Sequence, residues 1–163
     1  MFEYFYNEVF RSVIIGFGSL FNGIEVKKSN SIIKVPLAYG PTQKFLARMQ
    51  QEADLNKPVS ITLPRMSFEF LGLQYDATRK STQTQTIINQ SPDGASVKKN
   101  YLPVPYNMRF ELSIMTKLND DMLQIIEQIL PYFQPAYQLP INFFGNLIEN
   151  RDVAIYVCLI DVW

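Results

Sequence analysis

The sequence predicts an α+β fold: a bent, mainly antiparallel sheet with two or three amphipathic helices packed on one face, in a single domain. Three observations predict it. Segments near the N-terminus and after residue 118 carry apolar residues at helical spacing. Other segments alternate apolar and polar residues with the two-residue period of strands. The two kinds interleave without the regular strand–helix–strand rhythm of a parallel sheet.

The opening segment, about 3–22, places Phe5, Tyr6, Val9, Phe10, Val13, Phe17, Leu20 and Phe21 on one arc. Asn7, Glu8, Arg11, Ser12 and Ser19 fill the other side, so the segment reads as an amphipathic helix. Gly16 and Gly18 each carry a propensity penalty of about 1 kcal/mol there, which points to a close backbone contact or an early helix end. "GIEVKKSNSIIKVPLAYG" (23–40) reads as two strands around a polar KSNS turn. Ile33, Val35 and Leu37 alternate, and Pro36, with no N–H to donate, argues for a sheet edge. Pro41 and Thr42 then open a helix within 40–57, its buried side being Phe45, Leu46, Met49 and Ala53.

Residues 58–80 are strand material in two phases. Val59, Ile61 and Leu63 are odd, Met66, Phe68 and Phe70 even, and the slip at Pro64–Arg65 predicts a bulge or bend. The stretch 81–105 is polar, rich in threonine and turned at SPDG, which predicts a long projecting hairpin or arm at about 81–106. "YNMRFELSIMTK" (106–117) is the cleanest strand, with Met108, Phe110, Leu112 and Ile114 on one face. "NDDMLQIIEQILPYFQP" (119–135) is a helix whose buried arc is Met122, Ile125, Ile126, Ile129, Leu130 and Phe133. Asn119 is its expected cap, Asp120 and Asp121 sit at its positive end, and Pro131 disrupts its last turn. "RDVAIYVCLIDVW" (151–163) is apolar on both faces, which predicts a central, covered strand. Ending on such a strand suggests a shortened form of a longer protein.

Composition removes several function classes. Fifteen basic residues balance fifteen acidic ones, so average charge supplies no attraction to nucleic acid or an anionic membrane. The apolar uncharged stretch 12–24 falls short of a membrane span, and Glu3 stands where a signal peptide needs basic residues. A soluble protein with no membrane partner is expected. The lone Cys158 can form no internal disulfide, and a reducing compartment fits. No histidine is present, which excludes a Ser-His-Asp triad, a Cys-His pair and imidazole metal ligands. The expectation is no enzyme, with no catalytic, cofactor-binding or metal-binding residue to assign.

The remaining motifs have bland readings that compete with the sharp ones. "GFGSLFNG" (16–23) has the glycines of a phosphate loop but lies within or at the end of a helix, not between strand and helix. Of Asp120, Asp121 and Glu127, Asp120 and Glu127 share a helix face but have no third or fourth oxygen ligand of the kind a hard cation requires, so capping and solvation explain the three better. Cys158, in an apolar run without a basic neighbour, reads as a small buried hydrophobe. Lys98 and Lys99 with Tyr101 could meet phosphate and stack a base, or merely keep a hairpin soluble. In "STQTQT", Thr82, Thr84 and Thr86 would share one face of a strand and Gln83 and Gln85 the other, an edge able to join a neighbouring chain's sheet. Gln124 and Glu127, on the polar arc of the 119–135 helix, are free for a partner or for water. Thr82, Thr84, Thr86, Lys98, Lys99, Tyr101, Gln124 and Glu127 are therefore the candidate interface residues.

The run "ELSIMTKLNDDMLQIIEQILPYFQP" (111–135) closely resembles the tail sheath stabilizer and completion family of T-even-like contractile-tailed bacteriophages. "MFEYFYN" (1–7), "VPLAYG" (35–40), "LPRMSFEFLGLQYDATRK" (63–80) and "RDVAIYV" (151–157) are similar in the same order, so nearly the whole chain takes part. The resemblance implies a tail-terminator-like fold and a homo-oligomeric ring, a hexamer, at the head-proximal end of the tail. It implies contacts with the tail tube terminator, the tail sheath protein and the neck proteins, and a channel that genomic DNA crosses without specific binding. The implied location is the virion tail or neck, with host cytoplasm during assembly. Family members run on past the strand matching 152–163, and no catalytic residues belong to the family. Three alternatives stand beside it: a tube-terminator paralogue, a nucleic-acid-binding module using Lys98, Lys99 and Tyr101, and a histidine-free enzyme using acidic residues.

Overall fold

The computed structural model describes residues 4, 6, 8–28, 30–50, 62–82, 84–90, 97–102, 104–141 and 151–157. In chain order the elements are α1 (Val9–Leu20), β1 (Glu25–Lys28), β2 (Ser31–Lys34), β3 (Leu37–Tyr39), α2 (Thr42–Gln50) and β4 (Arg65–Tyr75). They continue with β5 (Thr86–Gln90), β6 (Val97–Tyr101), β7 (Tyr106–Met115), α3 (Asn119–Ile129), β8 (Ala136–Ile141) and β9 (Arg151–Tyr156). The fold is α+β. Among the described residues the strands form four small sheets rather than one continuous bent one, ordered β1–β2, β3–β4–β7, β5–β6 and β8–β9. The three two-stranded pairings are antiparallel, and β3 runs parallel to β4. The chain divides into two compact units, Phe70–Phe110 and the combined Met1–Glu69 and Glu111–Trp163.

In the larger unit an aromatic chain holds α1 in place. Phe17 and Phe21 are buried, with Phe17 5.0 Å from the Phe21 ring and 5.5 Å from Phe68. Phe21 stacks on Phe133 at 6.3 Å, and Phe133 lies 6.3 Å from Tyr137. Such pairs contribute about 0.5–1.5 kcal/mol each beyond their area burial. The two helix glycines are close-contact positions: a Cβ at Gly16 would meet Leu139, and one at Gly18 would meet the Phe68 ring. The helix is shorter than its apolar pattern. Glu8, at its N-cap position, has φ 54, a left-handed conformation that stops helical hydrogen bonding upstream, and Tyr4 and Tyr6 lie exposed outside it. Residues 3, 5 and 7 fall outside the described residues.

The KSNS turn does join two antiparallel strands, with Val26 opposite Ile33. The strand expected to run on through Pro36 is instead divided. The Val35 N–H donates to the Ile24 carbonyl, and the Pro36 carbonyl accepts from the Met66 N–H at 2.9 Å. A residue with an acceptor and no donor thus passes the chain from one sheet to the edge of the next. β4 starts directly after Pro64, at the predicted phase slip, and a bend occupies 63–64. Met66 and Phe68 are buried as their phase requires, and Ser67 is buried too, so this end of β4 is covered on both sides. In α2, Phe45 is buried and lies under the Arg65 guanidinium at 5.1 Å. Thr42 and Ser113 share a buried hydroxyl–hydroxyl bond of 2.6 Å. The side chain of Met49, and Ala53, Val59 and Ile61, lie outside what is described.

Two expectations about the C-terminal half are corrected. Asn119 is the first helical residue of α3, and Leu118 holds the N-cap position with no side-chain cap bond. The acidic first turn, Asp120 and Asp121, supplies the favourable charge there instead. Ile125 and Ile129 are buried on the expected arc, and the helix ends at Ile129 in a 3-10 turn, Leu130–Tyr132, that contains Pro131. β9 is not a covered central strand: it pairs with β8 alone among the described residues, and Ala154 and Tyr156 are exposed while Val153 and Ile155 are half-buried. That alternation is the mark of a strand with one open face. Its apolar outer positions misled the pattern, and β8, whose Pro140 weakens its strand signature, is an element the sequence does not announce. Cys158 lies outside the described residues.

Candidate interaction surfaces

The smaller unit is organised around Asp76. One of its carboxylate oxygens accepts from the Thr78 N–H at 3.0 Å and the Thr78 hydroxyl at 2.6 Å, the other from Arg79 Nε at 2.6 Å. Arg79 donates onward to Asn107 Oδ1, and the Asp76 N–H donates to the Pro105 carbonyl. The Thr78 hydroxyl, followed by Arg79, holds the Asp76 carboxyl well below the usual carboxylate range. Asp76 is not among the residues that the sequence patterns mark out. Its signal was the Asp-Ala-Thr spacing, which suits an Asp side chain to the N–H two residues on.

Beyond this hub β5 and β6 form an antiparallel hairpin in which Thr86 pairs with Tyr101, Ile88 with Lys99 and Asn89 with Lys98. The pairing brings Thr86, Ile88, Lys99, Tyr101 and Val97 onto one side of the ladder, since alternate residues share a face. Ile88 is 67% exposed, Val97 63% and Tyr101 79%. Lys98 occupies the alternate ladder position, out of phase with Lys99 and Tyr101. Of the three threonines only Thr86 is in the strand. Thr84 sits in a turn and Thr82 precedes it, its carbonyl accepting from the Gln85 N–H at 3.1 Å. A single threonine face spanning 82–86 is therefore not formed.

In the larger unit, α3 uses most of its polar arc internally. Gln124 Oε1 accepts from the Lys27 N–H at 3.0 Å and its Nε2 donates to the Lys27 carbonyl at 3.4 Å. Gln128 repeats the pattern on Glu25, at 3.3 and 2.7 Å. Asp121 is buried and lies 3.0 Å from Lys28 Nζ, an ion pair by distance without an aligned hydrogen bond. Of the two candidates on this helix, Gln124 is thus engaged with β1, whereas Glu127 is exposed. The sequence-predicted residues fall into two separate groups, one in each unit.

Among the described residues no three or more acidic or cysteine side chains gather as metal ligands. Ser113 donates to Glu111 at 3.3 Å and is 1% exposed. A groove of about 420 Å³ is lined by Ile33, Pro36, Leu37, Leu63 and Pro64 with the polar Asn22 and Thr62, and among the described residues Lys34 is the one charged side chain in its lining. Among the described residues no helix is long and apolar enough to cross a membrane.

Residues 4–162 match the family described as T4-like virus Myoviridae tail sheath stabiliser. The chain is also 36% identical over 169 aligned positions to the tail completion protein of Enterobacteria phage T4, covering 95% of this chain and 61% of that protein. The chain therefore spans about three-fifths of the length of that curated relative.

Proposed function

We propose, because the chain belongs to the T4-like virus Myoviridae tail sheath stabiliser family, that it is a non-catalytic structural protein of a contractile phage tail. In this reading copies of the chain form a closed ring, a hexamer, at the head-proximal end of the tail. The ring caps the tube through its terminator, stabilises the last layer of sheath and offers the neck a docking surface, while genomic DNA crosses its channel. The family match over 4–162 carries the proposal. The name of the phage T4 relative, a tail completion protein, supports the same place in assembly.

The hairpin supplies a physical reason for a neighbour. A two-stranded hairpin by itself is marginally stable in water, and one side of β5–β6 carries the exposed Ile88, Val97 and Tyr101. A neighbouring copy covering that side would bury them, with Thr86 and Lys99 alongside, and a closed ring repeats the contact without an open end. The loop residues Thr82 and Thr84 are exposed nearby in sequence, and exposed Glu127 belongs to a second surface in the other unit. The test is the mass of the purified chain with negative-stain images of the particles, followed by mixing with tube and sheath subunits. Rings that bind both support the proposal. A species monomeric at every concentration overturns the ring, and rings that bind tube alone assign the chain to tube termination instead.

A further inference from the structure

We propose that Gln124 and Gln128 form an edge lock, in which two side-chain amides stand in for the backbone of a neighbouring strand and keep β1 from pairing with another chain. An edge strand presents unpaired N–H and C=O groups that invite such pairing, and proteins close these edges by several devices. In the β1–β2 ladder the Val35 N–H to Ile24 carbonyl bond fixes the alternation, so Val26 and Lys28 bond inward to β2. Glu25 and Lys27 therefore aim their backbone groups away from the hairpin. These are the groups the glutamines take: Gln128 accepts from and donates to Glu25, and Gln124 does the same for Lys27.

The spacing explains why two glutamines on one helix suffice. Four helical residues rise about 6 Å, and two strand residues advance about 6.8 Å, so residues four apart on α3 meet residues two apart on β1. The chemistry explains why the residue is glutamine. A carboxamide both donates and accepts, as a peptide group does, whereas a carboxylate only accepts and an ammonium only donates. Asp120 orients the first amide by accepting from Gln124 Nε2 at 3.2 Å, and the second is steadied by the Gln124 carbonyl at 2.9 Å. Lys28 and the buried Asp121 hold the end of β1 to the same helix. On the opposite edge of the hairpin the outward groups belong to Ile32 and Lys34, the register partners of Lys27 and Glu25.

The test compares the wild-type chain with Q124A/Q128A at matched concentrations, by hydrogen exchange and by sedimentation. Glu25 and Lys27 should lose amide protection while Val26 and Lys28 keep theirs, and the apparent mass should climb past the wild-type plateau. Adding K27P, which removes one outward N–H without touching the inward ladder, should return the mass to the wild-type value. A wild-type mass despite lost protection at Glu25 and Lys27 would overturn the lock. So would unchanged protection there, or loss at Val26 and Lys28 as well, which would make the amides an anchor for the whole hairpin. Excess association that survives K27P but yields to I32P would run through β2 and also overturn it.

Discussion

Gly18 packs so closely against Phe68 that a Cβ at position 18 would stand 2.9 Å from the ring Cζ. Phe68 is buried and hemmed in by Phe17 and Tyr39, so its ring has little freedom to retreat. Alanine at position 18 would gain about 1 kcal/mol in helix propensity, but overpacking of this kind typically destabilises by about 1–3 kcal/mol. Gly18→Ala is therefore expected to be net destabilising by about 1 kcal/mol in urea unfolding. Gly16→Ala should come out closer to neutral, because its nearest contact, 3.0 Å, is the terminal methyl of Leu139. A G18A chain more stable than wild type would show that α1 is free to move off β4.

Asp76 gives a pH dependence of known sign. Its carboxyl is held down in the folded chain by the Thr78 hydroxyl and Arg79, whereas an unfolded Asp titrates near about 3.9. A depressed carboxyl contributes stability that is fully present above the unfolded value and is lost as pH falls from there through the folded value. The Asp76 contribution should hold constant from neutral pH to about 5 and decline below about 4. Carbon-detected titration of the Asp76 carboxyl reads the shift directly, and Asp76→Asn should flatten the acid limb of the stability curve. An Asp76 midpoint at the ordinary carboxylate value would remove the hub.

Periodicity made much of this fold legible, and the failures have separate causes. The buried positions Met66, Phe68, Ile114, Ile125 and Ile129 were all visible as phased apolar residues, because burial on one face is what periodicity records. Glu8 was not legible as a helix boundary, since Glu is not among the residues that favour the left-handed backbone it adopts. The outer face of β9 was misread because exposed Ala154 and Tyr156 resemble core residues in a string of letters. The two candidate surfaces were harder still. Tyr101 and Lys99 were found because they cluster in sequence, but the pairing that sets Ile88 and Val97 beside them is a matter of hairpin register. Gln124 looked free, because its partner strand lies about a hundred residues away along the chain.

Two apolar residues of α3 should respond to truncation to very different extents. Ile125 is completely buried, and Leu123 is 48% exposed two residues earlier. Ile125→Ala removes methyl groups from a packed site and should destabilise by about 2–5 kcal/mol. Leu123→Ala should stay within about 0.5 kcal/mol, as a surface change does. Thermal unfolding of the two variants side by side checks both. Similar losses would mean that Leu123 is covered in the assembled protein, and repeating the comparison on the isolated subunit would locate the cover.

Tyr101 offers the sharpest separation of folding from assembly. It is 79% exposed, pairs with Thr86 at the end of the hairpin and shares a ladder side with Ile88. Within the subunit its ring has little to lose, so Tyr101→Ser should alter unfolding by no more than about 0.5 kcal/mol. If that side is where a second copy docks, the same change removes an aromatic anchor of the kind that supplies about 2 kcal/mol or more to an interface. That corresponds to association weakened roughly thirtyfold per contact. Ile88→Asp should do the same by placing a charge in the covered patch. Sedimentation across a concentration series, with unfolding measured on the same samples, distinguishes the outcomes. Unchanged assembly in both variants would move the subunit contact off β5–β6.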